Sequence, residues 1–435
     1  MEKVSALLGW AEDNAVKCAL ALFLFHLAFS ATLFAIACSP YMADMHNGHG
    51  LWNFSMDSYV YNQLALQRVN LLQAGDISAW WAGSQTFPHP HVKWIALSYF
   101  LISPYPIAFA PVNAMAWTAT VISVYALARL LLPASRNLAA LGTMVFCLMP
   151  SYLLQTMQLL KDPFYILGGI LFLLGAARLF VGKLTWLSMV FIVAGVQLCL
   201  VLRPYMLPAY VVLTFLIIFM GLVRFSKPQL LATVATCTLL MLLAWQFLEM
   251  RGEVQMSDST VRQVEASGLH WSGKPVELLQ GAREVFSEHK GGSVVDGDVV
   301  IHDWTDIVYY IPRALQIGLL SPFPSNWFQP ENAAWKGARL LASVEMMFFY
   351  ALLPGFVVFL FCHSIPLRLR WFLLIFSISF LCLLGLAVPN MGAIYRMRYV
   401  YLLPIMLGGL CGWLEVLKHS KAYPHDPEKL DRDAN

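Results

Sequence analysis

Long apolar runs alternate with short polar connectors along this chain, and the runs cluster near the ~20 residues that an α-helix needs to cross a bilayer. The two-residue alternation of a membrane barrel is absent. The pattern predicts an all-α polytopic membrane protein with about ten spans, at 16–38, 112–132, 138–156, 163–181, 184–202, 205–223, 229–248, 338–361, 371–388 and 399–417. Alternating sides from a cytoplasmic N-terminus puts Lys3 and Lys17, Arg129 and Arg136, Arg178 and Lys183, Arg224 and Lys227, Arg368 and Arg370, and Lys418 and Lys421 on one face. These connectors obey the positive-inside bias, which leaves 39–111, 157–162, 203–204, 249–337 and 389–398 on the outer side. The first run carries no small-residue cleavage site followed by a soluble domain and is expected to be a retained signal anchor.

Two of the outer segments are long. Residues 56–75 predict an amphipathic helix lying on the membrane, with Val60, Leu64 and Leu71 on one stripe and Gln67 and Arg68 bordering it. Trp80, Trp81 and Trp94 then mark interfacial depth, and 93–111 is apolar but broken by Pro104, Pro106 and Pro111. That stretch reads as a re-entrant or interfacial helix, because counting it as a span would invert every later connector. The second long segment, 249–337, is polar and ends in a proline-broken apolar piece, 307–323, expected to dip into the interface. The chain therefore divides into an N-terminal transmembrane module, 1–248, an outer loop or cap, 249–337, C-terminal transmembrane helices, 338–417, and a cytoplasmic tail, 418–435.

Composition sharpens the class. Hydrophobic residues make up 59% of the chain and charged residues 12%, against about half and a quarter in soluble domains. The eight cysteines lie in or beside the apolar runs without CxxC spacing, so they read as core residues and not as a disulfide framework. A net charge of +3 with no aromatic-interleaved basic block gives no sign of nucleic-acid binding. Partners are expected in the lipid.

The outer rims hold a short set of ionisable groups: Asp57, Arg68, Lys93, Lys161, Asp162, Arg203, Arg313, Arg396 and Arg398. Arginine on the side that the charge bias depletes needs a local reason, and a lipid-linked phosphate gripped by guanidinium forks supplies one. Histidine offers no comparable pattern. His46-Asn47-Gly48-His49 and His89-Pro90-His91 lack the helical spacing that makes metal ligands converge, so no metal site is read.

Met56-Asp57-Ser58-Tyr59, the helix closing at Gly75-Asp76, and the His89-Pro90 approach to an apolar interfacial helix resemble the first extracytoplasmic loop of GT-C polytopic glycosyltransferases. The likeness is to the branch holding protein O-mannosyltransferases and the lipid A aminoarabinose transferase. It continues through Leu160-Lys161-Asp162-Pro163, similar to that branch's second acidic motif, and through Arg396-Met397-Arg398-Tyr399 leading to Pro404. Order and topology match over roughly 16–230. The family's paired acidic signature is a lone Asp57 here, and its Lys-Pro is His89-Pro90 with Lys93 three residues on.

The resemblance implies a GT-C-like bundle with amphipathic juxtamembrane helices. It also implies transfer of a sugar from a polyprenyl-phosphate donor to an acceptor hydroxyl on a glycan, lipid or protein, by a single inverting displacement. Asp57 would be the general base and Asp162 would orient the acceptor or assist it. Arg203, Arg396, Arg398, Lys93 and Lys161 would hold the donor phosphate, with Arg68, Arg313 and His89 as further candidates. No cofactor is required and a divalent cation is optional. A bacterial inner membrane, with the site facing the periplasm, is the expected location, because the chain is shorter than eukaryotic relatives and shows no retention signal. Rival readings are an oligosaccharide polymerase or ligase on lipid-linked glycans and a lipid-linked sugar flippase or transporter.

Each residue also has a plainer reading. Asp57 and the Asp162-Pro163 pair could cap helices. Lys161 could be an interfacial anchor, and Arg313 could cap a re-entrant turn. His26 and Glu345, inside spans, read as buried helix contacts. Asn53-Phe54-Ser55 matches a glycosylation sequon, a pattern short enough to arise by chance.

Overall fold

The structure, a computed structural model, describes residues 9, 12–82, 90–133, 135–182, 185–203, 206–222, 275–287, 294–328 and 333–422. The expected span at 229–248, most of the polar loop from 249, and His89 lie outside them. The described residues are almost wholly helical and form no strand beyond isolated bridges.

Six helices are long and apolar enough to cross a membrane: α1 (Ala15–Ala37), Pro106–Leu131, α8 (Asp162–Phe180), Arg339–Phe361, α14 (Leu367–Ala387) and Tyr399–Lys418. The second of these contains α5 (Ala110–Leu131), the fourth belongs to α13 (Ala333–Phe361) and the last to α16 (Tyr399–Ala422). A seventh arises if α6 (Arg136–Cys147) and α7 (Pro150–Thr156) count as one span, bent by 63° where Pro150 restarts the helix. The apolar α9 (Trp186–Leu202) and α10 (Leu207–Leu222) follow α8, and α11 (Pro275–Ser287) is the next described helix. The expected ten spans thus reduce, among the described residues, to six or seven that meet the length and hydropathy of a crossing helix.

α8 is the axis. Of its apolar window 83% is buried, against 11% for α1 at the periphery. Glycines let its neighbours close in: a Cβ on Gly168 would stand 2.8 Å from Cys199 Sγ and 2.9 Å from Gly195 O of α9. Lipid supplies no hydrophobic drive between helices, so close backbone packing at small residues holds them together.

The segment before α5 folds into α2 (Met56–Gln73), α3 (Ile77–Ala82) and α4 (His91–Leu101). α4 has 11 residues, about 16 Å at 1.5 Å per residue, roughly half of a ~30 Å hydrocarbon core. α2 packs on α4 through a face other than the apolar stripe expected to lie on the membrane. Its buried face is Ser58, Tyr61, Ala65, Arg68 and Val69, while Val60 is 44% exposed. The small Ser58 and Ala65 admit α4, and Arg68, expected at the border, turns inward.

α12 (Trp304–Leu320) runs back along the end of α14, with Gly318 against Leu381 O and Gly385 against Ala314 O. Its C-terminal carbonyls need partners, as any buried helix end does. Arg398 donates to Gly318 O at 3.2 Å and Leu319 O at 3.3 Å, and the Tyr350 hydroxyl donates to Leu320 O. Gly385→Val drives a side chain into Ala314 O and is expected to cost about 1–3 kcal/mol of stability. Thermal unfolding in detergent should show that loss, whereas Gly337→Ala, in open space on α13, leaves the midpoint unchanged or higher.

Candidate functional site

α8 begins and α9 ends at the same end of the bundle, and α15 (Met391–Met397), between α14 and α16, lies there too. The charges gather at this end. Glu12 with Arg129 at 3.6 Å and Arg136 at 3.2 Å marks the other.

Asp162 is the first residue of α8 and Arg203 the C-cap of α9. The two side chains form an ion pair that is almost fully buried, at 7% and 1% exposure. The capping reading of Asp162-Pro163 is thereby replaced: no side chain caps this terminus, and the carboxylate turns to the arginine instead. A desolvated charge-assisted bond outweighs a single cap hydrogen bond. Arg203 also lies 4.5 Å from the centre of the Tyr165 ring, and the Tyr165 hydroxyl is bonded to that of Tyr401 on α16.

Asp57, in the first turn of α2, accepts a hydrogen bond from Arg396 Nη1 at 2.9 Å. This pair is less enclosed, with Asp57 47% and Arg396 23% exposed. Ser55 stands at the N-cap of α2, so Asp57 is no cap either. Tyr61, one helical turn further on, feels both acids and both arginines; burial, then Asp57, then Asp162 raise its hydroxyl well above the ordinary phenol value.

Lys161 joins the same cluster. Burial and then Arg203 push its ammonium down to about 8, while Asp162 and Asp57 pull the other way. Among the described residues it makes no ion pair. Two carboxylates and three cations from α2, the α7–α8 connector, α8, α9 and α15 thus meet in one place.

The remaining expected cations are engaged elsewhere. Arg398 is only two residues from Arg396, but on a helix that separates the side chains by about 200°. Its fully buried guanidinium caps α12 and rests 2.8 Å from Met346 Sδ, so it belongs to the fold and not to a pair with Arg396. Arg68 donates to Trp80 O at 3.0 Å, and Lys93 donates to Trp81 O with its ammonium 4.6 Å from the Trp81 ring centre. Both therefore close the C-terminus of α3. Arg313 makes a two-point bond to Asp296 at 2.8 and 3.0 Å, pinning the loop before α12 rather than capping a turn.

Glu345, within α13, is a node that the sequence marked only as a buried contact. Its carboxylate accepts from Ser151 N at 2.7 Å at the start of α7 and from the hydroxyls of Tyr399, at 2.8 Å, and Tyr395. It thereby ties α7, which leads to Lys161, to α15, which carries Arg396, and to the first residue of α16. His26 bonds Thr156 at 2.9 Å and joins α1 to α7. His91 is buried with its ring edge-on to Tyr61 at 4.3 Å. Tyr61 and Tyr165 were readable in principle, each within a turn of an acid on its helix; Tyr401 and the partners of Glu345 were not, because the residues they meet are distant in sequence.

Among the described residues no three His, Cys, Asp or Glu side chains group to hold a metal ion, and the seven described cysteines are free. His46 is engaged locally, with Nε2 2.8 Å from Tyr41 O and Nδ1 3.1 Å from Gly48 N.

Fold and site together define a multi-pass helical membrane protein with a compact charge cluster at one end of its bundle. No family model, no curated protein and no solved structure matches the chain.

Proposed function

We propose that the protein is a membrane glycosyltransferase that moves a sugar from a polyprenyl-phosphate carrier to an acceptor hydroxyl. The observation that carries this reading is the meeting of Asp57, Lys161, Asp162, Arg203 and Arg396 at the end of an apolar bundle. A phosphate anchored by a lipid tail arrives at such a place, and a carboxylate beside it is what hydroxyl attack requires.

Roles follow from exposure. Asp57, half open, takes the acceptor proton as the hydroxyl oxygen bonds to the anomeric carbon. The bond from that carbon to the phosphate oxygen breaks with inversion, and its electron pair leaves with the phosphate. Arg396 and Lys161 receive the growing negative charge. Arg203 is too enclosed to swing toward a ligand and acts from behind, with Asp162 as its positioning partner in place of the acceptor-orienting role that the resemblance implies. A ten-helix GT-C-like bundle, with α2 and α4 as juxtamembrane helices, belongs to the same reading. So do a periplasm-facing site in a bacterial inner membrane, a cell-surface glycan or lipopolysaccharide acceptor, and a divalent cation as an option only.

The test is release of polyprenyl phosphate from polyprenyl-phosphate sugars by the folded protein in nanodiscs with a hydroxyl acceptor. Failure with every such donor removes the reading, and substrate movement without chemistry replaces it with transport.

Lys161 adds a pH dependence. Its ammonium is present below about 8 and lost above, so affinity for a phosphate ligand is expected to fall as pH rises through that value. Lys161→Arg, charged throughout, should remove the step in a binding titration from pH 6.5 to 9.5, each a value set about the lysine midpoint.

A further inference from the structure

Arg396 stands on α15, a helix of seven residues. So short a helix does not hold its place by its own hydrogen bonds and needs anchors. Its last polar side chains fan out, because successive residues turn by about 100°. Tyr395 reaches α13 and donates its hydroxyl proton to Glu345, Arg396 enters the charge cluster at Asp57, and Arg398 closes α12. The Arg398 guanidinium also lies 5.0 Å from the centre of the Tyr395 ring, so that ring is held on its face as well as at its tip.

Glu345 is the fixed end of this arrangement. It is buried, and its carboxylate is filled by three neutral donors: Ser151 N at 2.7 Å on one oxygen, and the Tyr399 hydroxyl at 2.8 Å together with that of Tyr395 on the other. A buried carboxylate depends on each such donor. α13 cannot slide, because it packs backbone to backbone on α16: a Cβ on Gly409 would stand 2.5 Å from Leu352 O, and one on Gly412 would collide with Gly355 O.

We infer that Glu345 is a positioning residue for the site: through the Tyr395 hydroxyl it fixes the turn of α15 that aims Arg396, and through Ser151 it fixes α7, which leads to Lys161. The inference deepens the glycosyl-transfer reading and rests on its phosphate-binding part. Glu345 touches no substrate. It acts because Tyr395 and Arg396 are neighbours on one turn, so a shift of the tyrosine carries the arginine with it. Asp57 meets the guanidinium at the far end of that side chain, and α13 sets the backbone at the near end. Tyr399 bonds the same carboxylate oxygen but opens the 24-residue α16, which is packed along its length and does not carry Arg396.

The experiment measures binding of farnesyl phosphate in nanodiscs, and separately of inorganic phosphate in buffer, to the full chain. It compares wild type, Tyr395→Phe, Tyr399→Phe, Arg396→Gln and the double variant Tyr395→Phe/Arg396→Gln, with a thermal unfolding midpoint for each. Phenylalanine keeps both rings, so each tyrosine variant deletes one hydroxyl from the same carboxylate oxygen. Tyr395→Phe is expected to weaken binding of both probes about tenfold, the worth of one hydrogen bond between charged groups. Tyr399→Phe is expected to stay within about twofold of wild type at a similar loss of midpoint. In the double variant the tyrosine change should add nothing to Arg396→Gln, because it acts through that arginine. If Tyr395→Phe does not fold, Glu345→Asp, a methylene too short to reach both helices, takes its place with the same expectation.

Equal effects of the two tyrosine variants overturn the inference, since general loosening of the node then accounts for them. A Tyr395→Phe loss that persists beside Arg396→Gln, or one confined to farnesyl phosphate, overturns it too. Weaker binding by Arg396→Gln with none by Tyr395→Phe overturns it while the phosphate reading stands. Unchanged binding by Arg396→Gln, or wild type binding neither probe, removes the phosphate reading and the inference with it.

Discussion

Asp57→Asn is expected to lower sugar transfer by about 10²- to 10⁴-fold, the range that a positioned general base contributes, while the protein stays folded. The amide has nearly the shape of the carboxylate and still accepts from Arg396, so the 2.9 Å contact can persist in a weaker form. What disappears is the proton acceptor. Donor affinity should hold or improve, because Arg396 is left freer for phosphate, so the loss belongs in kcat and not in KM. Asp57→Glu keeps the acid with a longer reach and should recover part of the rate. Single-turnover transfer in nanodiscs gives both numbers. Full activity in Asp57→Asn would remove Asp57 as base and leave the cluster a binding site only.

Asp162→Asn should be the costliest change to stability at the site. Arg203 is 1% exposed, and taking away its counter-charge leaves a guanidinium in a low-dielectric pocket, a loss of about 3–5 kcal/mol by comparison with other broken buried pairs. The Tyr165 ring at 4.5 Å offers some compensation through its π face. Pairing the change with Arg203→Met should restore most of the midpoint, since two neutral side chains carry no stranded charge. Arg396→Gln, across the less enclosed pair, is expected to cost less than Asp162→Asn. Thermal unfolding of the four variants in one detergent separates the two kinds of pair. A mild effect of Asp162→Asn would mean that other partners of Arg203 hold its charge.

The acids and arginines of the site were legible as residue types on a common side, because composition and charge bias act locally along the chain. Their pairing was not. Asp162-Pro163 reads as a helix cap to any rule of neighbours, yet its partner is Arg203, 41 positions away. Arg396 and Arg398 look like a matched pair in the sequence and diverge because a helix turns between them. The face of α2 that packs on α4 was hidden for a related reason. Hydrophobic period ranks side chains by aversion to water, whereas α2 chose the face whose small residues let α4 approach.

The sequence by itself determined the solvent of this protein. Apolar runs of membrane length admit helices as the structure that satisfies its own backbone hydrogen bonds, and six of them appear where the hydropathy places them. It also determined which residues carry charge where charge is expensive. Only the tertiary structure decided how those charges are used: Arg398 as the cap of α12, Arg68 and Lys93 on the carbonyls of α3, Arg313 on Asp296, and Arg203 and Arg396 on the two acids. The physical reason is that a buried charge takes the partner nearest in space, and nearness is set by helix crossings between segments hundreds of residues apart, such as the 339 positions that separate Asp57 from Arg396.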